Sequence, residues 1–86
     1  MRHEYQVLKN NLLNAYHSKV MVLKAATAVA PQVRENSMAD YAFRLSIGLE
    51  GLVTVASASG DAESADELEA IVSLCNHGEF PLPSTI

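Results

Sequence analysis

Tryptophan is absent from this chain of 86 residues, and cysteine occurs once, at Cys75. A single thiol excludes an internal disulfide, so packing alone has to hold the fold, and a reducing setting is expected. With only two Phe and three Tyr, the core has to be filled by Leu, Val, Ile and Ala. Long hydrophobic runs are missing too. The most apolar stretch, 45–58, is short and interrupted by Glu50, which argues against a membrane span. Met1-Arg2-His3-Glu4 leads into no apolar run, so no signal peptide is expected and the expected location is cytoplasmic. The most telling absence is of basic residues after Arg44. Residues 1–44 hold all six bases against three acids, a balance of +3, whereas residues 45–86 hold seven acids and no base, a balance of −7. Such polarity suits helices that pack basic face to acidic face, within one chain or between two, and leaves an acidic surface that repels nucleic acid.

What is present reads as helix. Tyr5, Leu8, Leu12, Tyr16, Val20, Leu23, Thr27 and Ala30 share one stripe at about 100° per residue, which predicts a long helix over roughly residues 3–30, stopped by Pro31. Residues 31–36 read as a polar connection, and Ser37-Met38-Ala39-Asp40 offers an imperfect capping box for a second helix. Met38, Tyr41, Ala42, Leu45, Leu49, Leu52, Val53 and Ala56 form the main stripe of that helix, which ends near Gly60. A third, acid-rich helix is expected to start at Asp61 or Ser64, with Ala65, Leu68, Ile71, Val72 and Cys75 on its apolar side and Gly78 as its stop. The expected fold is all-α: one helical domain over 1–78, an up-down-up three-helix bundle with a long first helix, followed by an extended tail over 79–86.

The second helix carries more apolar surface than one core requires. Phe43, Ile47, Thr54 and Ala58 lie opposite its main stripe with Gly51 beside them, and Gly48 and Gly51 each cost about 1 kcal/mol relative to alanine in a helix interior. Close approach of another helix would offset that cost. Burial by both neighbours within a bundle is the plain explanation; a homodimer seam or docking groove is the sharper one. Val22, Ala25 and Val29 make a weaker second face on the first helix.

Chemical signatures are sparse. His3, His17 and His77 show no i, i+4 pairing, and without a cysteine pair no closed zinc site follows, so neither metal nor cofactor is expected. Cys75 and His77 read as a small core residue and a cation near a helix C-terminus. Asp61, Glu63, Asp66, Glu67 and Glu69 lack the glycine and spacing of a calcium loop and read as helix-capping acids on a wet face. Lys9, Lys19 and Lys24 point in different directions and form no basic stripe. The tail, from Phe80-Pro81-Leu82-Pro83 to Ser84-Thr85-Ile86, resembles peptides that add a strand to PDZ domains; the alternative is that Phe80 and Leu82 fold back over the bundle end. In length and composition the chain is similar to short helical adaptors, co-chaperones and inhibitors, though no motif singles one out.

The expected function is therefore non-enzymatic: an interaction module that binds itself or a helix of another protein through Phe43, Ile47, Gly48, Gly51, Thr54 and Ala58. The alternatives are a small dimeric nucleic-acid-binding regulator, and an enzyme subunit with a pocket at its interface.

Overall fold

In the computed structural model, which describes residues 1–26 and 28–81, three helices follow one another: α1 (His3–Ala25), α2 (Pro31–Ala58) and α3 (Ala62–Asn76). The all-α, up-down-up arrangement expected from the sequence is what the chain adopts, with no strand among the described residues. Two boundaries differ from expectation. α1 stops at Ala25, five residues short of the proline, and α2 starts at Pro31 itself, so residues 31–36 are helical and Ser37–Asp40 lies inside a helix and caps nothing. The physical reason is that proline has two meanings. It ends a helix that precedes it, but its fixed φ and missing N–H also suit the first helical position, where that donor has no partner anyway. The connection is thus Ala26–Ala30, and Arg34 reaches back across it, its Nη2 donating to the Ala26 carbonyl at 2.8 Å.

The junction between α2 and α3 is tighter. Gly60 takes φ +80°, a left-handed conformation that favours glycine, while the Gly60 and Asp61 N–H groups bond back to the Ser57 and Ala56 carbonyls at 3.1 and 2.9 Å. Asp61 then opens α3 at once. Its carboxylate accepts from the Ser64 backbone N–H at 3.1 Å and from the Ser64 hydroxyl at 2.7 Å, satisfying donors that a helix start leaves free. Gly78, at φ +81°, closes α3 in the same way that Gly60 closes α2, with Glu79 N–H on the Leu74 carbonyl at 3.1 Å.

α2 is the middle element. It packs along both α1 and α3, whereas α1 and α3 barely meet, and the Cα envelope is correspondingly long and flat at 47 × 23 × 14 Å. Contacts from Tyr5 to Ser59, Leu12 to Gly48 and Tyr16 to Tyr41 set α1 antiparallel to α2 over its whole length. The shorter α3 covers the C-terminal part of α2, so the far end is a two-helix hairpin. Leu45, Leu49 and Ala56 of α2 are completely buried, joined by Tyr5 and Leu13 of α1 and by Ala65, Leu68, Val72 and Cys75 of α3. The α2 and α3 stripes match the expected ones. The α1 stripe is turned: Lys9 and Leu13 are buried while Leu8 is 47 % exposed. The Lys19 ammonium stands 4.9 Å from the centre of the Tyr16 ring and 5.9 Å from that of Tyr41. Phe80 is half-buried against the core, and Leu82 and the proposed strand-adding terminus lie outside the described residues.

The Ser64 hydroxyl and backbone N–H, helped by Arg2, hold the Asp61 carboxyl below the usual carboxylate value. A lowered acid stabilises the fold above its unfolded value and loses that contribution as pH falls. Asp61→Ala should lower Tm at neutral pH more than Glu63→Ala does, with the difference from the parent chain shrinking in thermal melts taken through the acid range.

Candidate functional site: the outer face of the second helix

At about 100° per residue, Ile47 lies some 160° round α2 from both Leu45 and Leu49, on the side that neither neighbour reaches. Phe43 there is 61 % exposed and Ile47 57 % exposed, and Gly51, Thr54 and Ala58 continue the exposed line toward the C-terminus. Thr54 adds little polarity to it, because its hydroxyl donates to the Glu50 carbonyl at 3.0 Å within the same helix. Val55, 53 % exposed, widens the strip on the α1 side, where Leu8 is also open. That contribution from Leu8 was hidden by the expectation that it sat in the α1 stripe.

The two helix-interior glycines separate. A Cβ placed on Gly48 would touch both δ-methyls of Leu12 at 3.4 Å, so Gly48 belongs to the α1–α2 contact. A Cβ on Gly51 would meet nothing within 4 Å, so packing within the described chain supplies no reason for the missing side chain. Of the six residues the sequence singles out, five lie together on the outer face and Gly48 turns away.

Charge frames the strip. Near its N-terminal side Arg44 Nε meets Asp40 Oδ2 at 2.9 Å, an exposed i, i+4 pair. On the α3 side Glu50 and Glu69 face each other: loss of hydration, the like charge of Glu50 and a hydrogen bond between the two raise the Glu69 carboxyl above its usual value. The two like charges make that edge of the strip acidic.

The remaining chemical candidates do not converge. Cys75 is buried, its thiol pushed up by desolvation, whereas His77 is exposed with Nδ1 2.7 Å from the Ser73 carbonyl of its own helix. Among the described residues no three His, Cys, Asp or Glu side chains gather where a metal ion could sit, and no helix is long and apolar enough to cross a membrane. An open hollow at the α2–α3 turn, lined by Arg2, Ser59, Asp61, Glu63 and Ser64, is occupied with its own contacts, Arg2 Nε to Asp61 Oδ2 at 3.7 Å and the Arg2 N–H to Ser64 Oγ at 3.1 Å. Lys9 escaped the sequence reading. It is 3 % exposed, its ammonium lowered from the usual value by desolvation against the opposing pull of Glu67, which also pairs with the Met1 amino group at 3.1 Å. Its place one residue after the apparent stripe, with Tyr5 and Leu13 four residues to either side, was the available signal.

No family model, curated protein or solved structure matches this chain.

Gly51→Ala should raise the stability of the isolated chain by about 1 kcal/mol, since alanine is the better helix former and nothing stands in its way; Gly48→Ala should gain less, because Leu12 is already there. Denaturant titration distinguishes the two. Glu69→Gln should raise Tm at neutral pH, because a raised acid favours the fold while protonated and loses that contribution as pH rises. The gain should vanish in melts below the normal carboxylate range.

Proposed function

We propose that this chain is a non-enzymatic protein–protein interaction module whose docking surface is the outer face of α2. The observation that carries the reading is the pair Phe43 and Ile47, each more than half exposed at the middle of a helix whose other sides are buried. Two large apolar side chains followed by small ones, bordered by an ion pair and an acidic rim, are in keeping with a contact surface that has a polar edge. Gly51 supports the same reading, since its cost to the helix is offset only by something that approaches from outside. Mechanistically this is helix packing by ridges into grooves, with the glycine as the groove.

A nucleic-acid role would need one continuous basic strip. Lys9 is buried and Lys19 is held over tyrosine rings, so α1 offers little toward one.

Phe43→Asp and Ile47→Asp should each leave Tm close to the parent value and abolish association, whereas Leu49→Asp should unfold the chain by placing an unpaired charge at a completely buried position. Circular dichroism melts beside a binding measurement decide the matter. Equal damage from all three would make the outer face ordinary core and end this reading.

A further inference from the structure

Resting on that reading, we infer that the occupant of the α2 outer face is a second copy of this chain, seated antiparallel about a two-fold axis near Ile47. Shape comes first. An axis at Ile47 brings Phe43 of one copy to the level of Gly51 of the other, the same number of residues to either side. There Ile47, Glu50, Gly51 and Thr54, at i, i+3, i+4 and i+7, outline the four-cornered hole that accepts a side-chain knob. Gly51 leaves that hole open, with nothing within 4 Å of its Cβ position. Two-fold symmetry makes the insertion reciprocal, so both Phe43 rings are covered and the assembly closes at two. A parallel pair would instead press each Phe43 toward the other, between the partner's charged Asp40 and Arg44 side chains.

Charge favours the same orientation. In the two-helix portion, residues 14–44, Lys19, Lys24, Arg34 and Arg44 stand against Glu35 and Asp40, a net +2. The rest of the chain carries every other acid against Arg2 and Lys9, a net −6, and the two together give the overall −4. The molecule is thus a dipole along an envelope 47 Å long. Antiparallel copies set the basic end of one beside the acidic end of the other, while parallel copies stack −6 on −6. Salt within a Debye length weakens but does not reverse this preference. Because the strip belongs almost wholly to α2, contact would fall largely between one helix pair, at the small end of specific interfaces, so the dimer should be reversible.

The test uses the full chain. Sedimentation from nanomolar to high micromolar concentration should show monomer passing to dimer. Gly51→Leu, which fills the hole and favours the helix, should raise Kd roughly tenfold or more without lowering Tm. Spin labels at Asn36→Cys or at Ser57→Cys, both exposed positions, in a Cys75→Ser background should lie about 30 Å or more from their symmetry mates, given 1.5 Å per residue on either side of the axis. Separations near the ~10 Å between packed helix axes at both positions would mean a parallel dimer and overturn this inference while leaving the interaction surface intact. A monomer at every concentration would also overturn it and leave the face to a different protein. Loss of the surface reading itself has a separate signature, the equal destabilisation by Phe43→Asp and Leu49→Asp described above.

Discussion

One helix has to serve as the wall for two others, and most of this molecule follows from that. α1 and α3 barely touch, so each depends on α2 for its burial, and α2 meets both demands with Leu45, Leu49 and Ala56, none of which retains any exposure. Fully burying a leucine is worth about 1.5–3 kcal/mol, and in a domain this small a few such residues are a large fraction of net stability. The geometry of serving two neighbours also leaves α2 with one side that belongs to neither. The exposed line through Phe43 and Ile47 is thus a by-product of position in the first instance, and its apolar content is what turns position into a binding surface.

How much of this the sequence disclosed depended on whether one residue type had one meaning. The apolar stripes of α2 and α3 were legible because each faces a single continuous core, and Gly60 and Gly78 were legible as stops because a left-handed turn has few other occupants. Proline at 31 was ambiguous between ending one helix and beginning the next, and the choice moved two boundaries. Ser37–Asp40 and Asp61–Ser64 offer the same capping chemistry, but at the first the chain is already helical and at the second the preceding Gly60 has turned it, so only the second is used. On α1 the buried Lys9 defeated a reading by polarity, since its long aliphatic stem packs like an apolar side chain although its ammonium is desolvated with it.

The candidate face was read more fully than the helix ends. Its members are set by angle around α2, and angle survives an error of several residues in where a helix begins. What angle could not do was separate Gly48 from Gly51. Three residues apart and without side chains, they differ only in which neighbour stands over them, and the register of α1 places Leu12 over the first alone.

Cys75 was described above as a buried thiol whose ionisation is suppressed by its surroundings. Since only a solvated thiolate reacts, reagents reach it when α3 lifts from α2 and scarcely otherwise. The chain therefore carries an intrinsic clock for its own opening. The rate at which the native thiol becomes modified measures how often the third helix detaches, and comparing that rate in dilute and concentrated solution would show whether covering the opposite face of α2 steadies the contact on this one.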